Sequence, residues 1–215
     1  MLTEEKRLAN KEEYIELLNS IVREGTNIPE LIDYLEDRGF FDAPASKKYH
    51  NSFEGGLVDH SLNVYHNLLN LFNMKYSDTW ENFDIDTLKI VALCHDFDKI
   101  RKYKKSFKNV KVYCEDGDKW DNLGKFTWVS EESWDINDDG THLVYGNHEM
   151  NSEFITRQFI PLRIEESIAI LHHMGTLNYD SAQDNITEIY AKYPVTLLLH
   201  QADMLATYID EVNNK

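Results

Sequence analysis

The feature that most limits what this chain can fold into is a set of histidines and aspartates on otherwise apolar helical faces. His60 lies on the stripe Leu57, His60, Val64, Leu68, Leu71, and Asp203 on the stripe Leu199, Asp203, Ala206. His172 follows Ile168 by one turn, and His173 follows Ala169. The run Ala92-Leu93-Cys94-His95-Asp96-Phe97-Asp98-Lys99 ends an apolar stretch in a His-Asp pair, and His148 opens a further helical pattern. Taken singly, each histidine reads as a hydrogen-bonded core residue. Taken together they aim imidazoles and carboxylates at one interior from several helices. A buried carboxylate needs a partner, because leaving its charge unpaired is expensive. A metal cation is such a partner.

The rest of the pattern predicts a mainly α-helical fold, a helical bundle with a β-hairpin insertion at about 105–145. The 215 residues suit a single domain. Residues 3–24 read as an amphipathic helix with Leu8, Tyr14, Leu17, Leu18 and Ile21 on one face. That face covers the core, or else a partner subunit. Pro29 opens a short helix that Gly39 ends, so residues 1–39 form the N-terminal helices. A loop over 40–56 leads to helices over 57–75 and 86–95. Residues 103–147 break this pattern. Val110–Cys114 and Lys125–Val129 have strand character, and Asp116-Gly117-Asp118 and Asn122-Leu123-Gly124 supply turns. The aromatics Tyr103, Phe107, Tyr113, Trp120 and Trp128 either form the hairpin's packing face or stack on a base. Helices are expected again over 148–159, 163–174, 184–190 and 194–211.

Charge narrows the partners. Asp plus Glu number 38 against 22 Lys plus Arg, a formal net charge of −16. Such a chain is a poor general binder of nucleic acid or anionic membrane, yet it can take a small phosphorylated ligand. Cys94 and Cys114 make no disulfide framework, and Met1–Arg7 lacks the apolar run of a signal peptide. No stretch nears the roughly 18 apolar residues of a membrane span. A cytoplasmic protein without a membrane partner is expected. One local exception to the acidity is the stretch Lys99, Arg101, Lys102, Lys104, Lys105, Lys108 and Lys111, with no acid among those after Lys99. Lys99, Arg101, Lys102 and Lys105 are candidates to bind substrate phosphates. The alternative is a solvated turn.

Neutral imidazole and carboxylate together suit Mn, Fe, Ni, Co or Zn, whereas Mg prefers oxygen alone. A carboxylate such as Asp96 has two oxygens and can bridge two ions. Cys94 lies in an apolar helix and reads as packed core.

The segments Gly55-Gly56-Leu57-Val58-Asp59-His60, Cys94-His95-Asp96-Phe97-Asp98-Lys99, Asn147-His148-Glu149, Leu171-His172-His173-Met174-Gly175 and His200-Gln201-Ala202-Asp203 come in a specific order. In that order they resemble the HD superfamily of metal-dependent phosphohydrolases. The likeness spans residues 50–211. It extends to small HD proteins of phages and Gram-positive bacteria, and to the HD domain of bacterial 3′→5′ exoribonucleases. The resemblance implies a bacterial or phage-infected host cytoplasm. It implies one or two divalent metals: the first on His60, His95, Asp96 and Asp203, and a second, where there is one, on Asp96, His148, His172 and His173. It implies hydrolysis of a nucleotide phosphoester or phosphoanhydride by a metal-bound hydroxide, with Asp96 and Lys99 as catalytic residues. Asp98 and Glu149 are candidates for the leaving-group acid. A 3′→5′ exonuclease on single-stranded RNA or DNA is the alternative, and a non-enzymatic regulatory module the third reading. A homo-oligomer is left open. Three features depart from the family. Asp98 stands where the family often has Gly. No Gly-Tyr-Pro signature follows His173, and no nucleic-acid-binding barrel precedes the HD region.

Overall fold

The computed structural model describes residues 2–76, 84–175 and 185–212. Its helices are α1 (Glu4–Asn19), α2 (Ile28–Asp37), α3 (Gly56–Tyr76), α4 (Ile85–Cys94), α5 (His148–Phe159), α6 (Ile164–Leu171), α7 (Ile186–Lys192) and α8 (Pro194–Leu205). Its strands are β1 (Tyr103–Tyr113), β2 (Lys119–Asp121) and β3 (Gly124–Ile136). The protein is therefore mainly helical with one small antiparallel sheet.

The core lies between α3, α4, α6 and α8. Helix α3 packs on α4 and α8, and α6 packs on α8. Leu57, Val64 and Leu68 are buried, while Leu71 at the end of that stripe is half-buried. Helix α4 is buried from Asp86 to Cys94, which is why its sequence shows no polar face. Cys94 is fully enclosed, as its setting suggested.

Helix α1 covers this core. The Tyr14 hydroxyl donates to the Leu93 carbonyl at 2.7 Å, and Tyr14 and Leu18 are buried. The expected face is corrected at one position. Leu8 is 57% exposed, because six residues place it about 120° round the helix from Tyr14. Asn10, one turn before Tyr14, takes the inward position and donates to Asp59 at 2.8 Å. The helix also ends at Asn19 rather than near residue 24.

Arg23, in the following loop, grips Glu166 of α6 with two bonds of 2.6 and 2.7 Å. The Thr87 hydroxyl donates to the same carboxylate at 2.6 Å. This pairing ties α6 to α4 and so fixes the helix that leads to His173.

The insertion is larger than a hairpin. Strands β1 and β3 pair antiparallel from Tyr103↔Ile136 to Tyr113↔Phe126, and β2 adds to the other edge of β3 through Lys119↔Phe126. The order is β1-β3-β2, and residues 137–147 form no strand. Its ladder runs well past the β-branched segments because both faces meet solvent. Phe126 alone of its side chains is buried. Polar residues therefore occur on both faces and hide the alternation that marks a half-buried strand. The aromatics pack on each other near the tip, with Phe126 5.7 Å from Tyr113 and 5.6 Å from Trp128.

Two helix ends also differ from expectation. Helix α6 stops at Leu171, and His172–Gly175 form a turn. Gly175 has φ +62°, and a Cβ there would meet the His200 ring at 2.7 Å. Helix α8 stops at Leu205 and continues as a wider turn over Ala206–Asp210. The seventh helix runs from Ile186 to Lys192; Asp184, its expected first residue, lies outside the described residues. No described helix is long and apolar enough to cross a membrane.

Candidate metal centre

Four imidazoles meet in the core, and in each the Nδ1 is already engaged. His95 follows the last residue of α4, and its Nδ1 donates to the Ala92 carbonyl at 2.8 Å. His173 follows α6, and its Nδ1 donates to the Ile170 carbonyl at 2.7 Å. A carbonyl has no proton to give, so both rings carry theirs on Nδ1. His60 on α3 donates from Nδ1 to Glu211 at 2.9 Å. His148 opens α5 and donates from Nδ1 to Asp98 at 2.9 Å. All four Nε2 atoms point inward.

Asp96 stands between them. It leads the short turn Phe97–Lys99, whose Lys99 N–H bonds back to the Asp96 carbonyl at 2.9 Å. Its Oδ2 faces His60 at 3.4 Å, His95 at 3.5 Å and the Lys99 ammonium at 2.5 Å. Its Oδ1 faces His148 at 2.8 Å and His173 at 3.9 Å. Asp203 of α8 brings Oδ1 to 3.3 Å from His60 Nε2, and the Nε2 atoms of His60 and His95 are themselves 3.3 Å apart.

The electrostatics show how much positive charge the cluster demands. Burial alone would raise Asp96, but Lys99, then His95, and hydrogen bonds from His148 and His60 hold it well below the usual carboxylate range. Burial opposes charge on His60, yet Glu211, Asp203 and Asp96 push its pKa well up. His148 is likewise raised to about 9 against burial, by hydrogen bonds to Asp96 and Asp98. His95 is pushed down to about 3, chiefly by burial. His173 is lowered by burial and by His148, and its buried Nε2 has no hydrogen-bond partner among the described residues.

These groups could hold a metal ion. His60, His95 and Asp203 offer three ligand atoms within 4.8 Å of one another, and His95, Asp96 and His173 offer a second such set. Two ligands each about 2.1 Å from one ion lie about 3.0–3.4 Å apart. The separations of 3.3–3.5 Å around His60, His95, Asp96 and Asp203 sit at or just above that range. Nε2 of His60 faces Nε2 of His95 with carboxylates on both sides, so a cation there would replace the proton that His60 otherwise holds.

The cluster opens on a cavity of about 440 Å³. Its lining includes the polar side chains of Asp96, Lys99, His148 and Asp203 and the more apolar ones of Tyr49, Met174, Met204 and Tyr208. Of the sequence candidates, His60, His95, Asp96, His148, His173 and Asp203 come together here. His148 and His172 join neither set: His148 reaches Asp96 through Nε2 at 2.8 Å, and His172 is half-buried just past the end of α6. Glu149 is buried beside His148 and does not line the cavity. Among the basic residues, Lys99 lines it. Arg101 donates to the Asp37 carbonyl, Lys102 pairs with Asp98, Lys104 with Asp138, Lys105 with Glu54 and Lys111 with Asp121.

Sequence reasoning missed Glu211 and His50. Glu211 is buried on the turn after α8 and also accepts from Asn63 at 3.2 Å. His50 comes from the 40–56 loop, with its ring 5.0 Å from His60, and burial pushes it down to about 4. Neither lies on a periodic apolar face, so periodicity held no signal for them. No family model matches the chain, and no curated protein or solved structure gives a significant match.

Proposed function

We propose that this protein is a metal-dependent phosphohydrolase acting on a nucleotide phosphoester or phosphoanhydride. The observation that carries this reading is the convergence of four inward Nε2 atoms on Asp96 at the wall of a cavity that also presents Lys99. The order of these residues resembles the HD superfamily. One or two divalent ions among Mn, Fe, Ni, Co and Zn suit this donor set. His60, His95, Asp96 and Asp203 would hold the first, and Asp96, His148 and His173 the second. Such an ion, when bound, supplies Lewis acidity and brings the ionisation of water toward neutral pH.

The chain's own residues do the rest. Lys99 lines the cavity wall and pairs there with Asp96 at 2.5 Å, so it is the one lysine of the basic run whose ammonium would turn to phosphate oxygens once an ion holds that carboxylate. Tyr49, Tyr208, Met174 and Met204 give an apolar surface for a base. A small substrate is favoured over a strand, because Lys102, Lys104, Lys105 and Lys111 each already pair with an acid.

The test compares the wild type with Asp96→Ala. Each is incubated with Mn²⁺, Ni²⁺, Co²⁺ or Mg²⁺ and a panel of nucleoside mono-, di- and triphosphates and labelled single-stranded RNA and DNA. Hydrolysis of one mononucleotide class is expected, falling by about 100-fold or more in the mutant, beyond the range for residues that merely support a ligand. Stepwise shortening of the oligonucleotides with mononucleotides untouched would replace this reading with the exonuclease. Full activity in Asp96→Ala would end it.

A further inference from the structure

We propose that Asp98 is a positioning residue: it fixes the His148 ring with Nε2 toward Asp96 and does not serve as the acid for the leaving group. The proposal rests on the metal reading above.

Asp98 has the chemistry of a carboxylic acid but not the placement of a catalytic one. Its side chain is 1% exposed and is not part of the cavity wall. Both oxygens are engaged. Oδ1 accepts from Asn151 at 2.5 Å and lies 3.3 Å from His142 Nε2. Oδ2 accepts from His148 Nδ1 at 2.9 Å and from Lys102. With both oxygens taken by donors and neither on the cavity wall, Asp98 has no path to a leaving group.

What it does have is a fixed relation to Asp96. The two aspartates flank Phe97 on one short turn. One takes Nε2 of His148 at 2.8 Å, the other Nδ1 at 2.9 Å. The turn therefore grips the imidazole at both nitrogens. Without Asp98 the ring can turn over and present either nitrogen. A carboxylate behind a ligating histidine is a general device for fixing tautomer and orientation.

A double-mutant cycle on metal affinity tests this, read by titration calorimetry with Mn²⁺ in the full chain. Asp98→Ala is expected to weaken binding about 10–100-fold, and to weaken it no further in a His148→Ala background. Equal losses in both backgrounds, or no loss in either, would overturn the proposal. Asp98→Asn keeps the packing and one acceptor oxygen, so it guards against a variant that fails to fold. It is expected to lose less than Asp98→Ala, and an equal loss would count against the tether. A second readout needs no metal. The Nδ1 proton of His148 is expected as an exchange-protected imidazole NMR signal in the metal-free wild type and not in Asp98→Ala. That signal without Mn²⁺ uptake would sink the metal reading and keep the tether. Its persistence in Asp98→Ala, or its absence from the wild type, would sink the tether.

Discussion

The helical bundle and the β1–β3 ribbon bury opposite things. The bundle encloses polar groups: His60, His95, Asp96, Asp98, Glu166 and His173 are all buried. The ribbon leaves Phe107, Trp120, Leu123 and Trp128 exposed. The bundle can enclose charge because each buried charge has a near partner. The ribbon can expose aromatics because its strands are held by a continuous backbone ladder and by contacts such as Lys111 over Phe126 at 4.4 Å. In one region stability depends on completing polar pairs inside. In the other it depends on backbone pairing, and single side chains matter little.

Thiol chemistry should give the largest contrast. A thiol reagent is expected to modify Cys114 on the ribbon side at once, and Cys94 in α4 slower by a factor on the order of 1,000 or more, since Cys94 must wait for unfolding. Equal rates by mass spectrometry would mean the bundle opens locally at α4. Next comes the buried pair. Glu166→Ala leaves Arg23 with Asp84 at 3.3 Å as its carboxylate and takes the acceptor from the Thr87 hydroxyl, and is expected to cost about 3 kcal/mol, a fall of roughly 10 °C in Tm. Calorimetric melting would show it, and a loss no larger than that of a surface change would break the comparison. Glu211→Gln keeps the bulk but not the charge behind His60. It is expected to weaken Mn²⁺ binding about tenfold, with little change in Tm. Smallest is Trp120→Ala. Despite the size of the ring lost, it is expected to shift stability by no more than about 0.5 kcal/mol.

The sequence was most readable where one physical demand acted alone. Helix α5 begins at His148 and ends at Phe159, as its pattern predicted, because the Asn147 side chain caps it at Met150 N–H. His60 could be placed by counting helical turns; the same count ran past the end of α6 and put both His172 and His173 inward, and of these only His173 is fully buried. Other parts depended on partners distant in sequence. Leu8 looked like core until Asn10 met Asp59, 49 residues away. The basic run after Lys99 read equally as a phosphate clamp and as a solvated turn. Lys104, Lys105 and Lys111 pair with Asp138, Glu54 and Asp121, acids that no local pattern assigns to them. Strand lengths were underestimated because a ladder exposed on both faces leaves no alternation to read.

The two ways of holding a histidine have a kinetic consequence. His95 and His173 bond to carbonyls three residues upstream, so those rings are oriented as soon as their helix ends form. The bond from His60 to Glu211 closes a separation of 151 residues. Contacts of such long range must meet the entropy of loop closure before they return anything, and they form late. The centre is thus half assembled by local structure and completed only when the chain has come round on itself. An ion that needs the complete set would bind after the folding barrier, so it would slow unfolding and leave the folding rate unchanged.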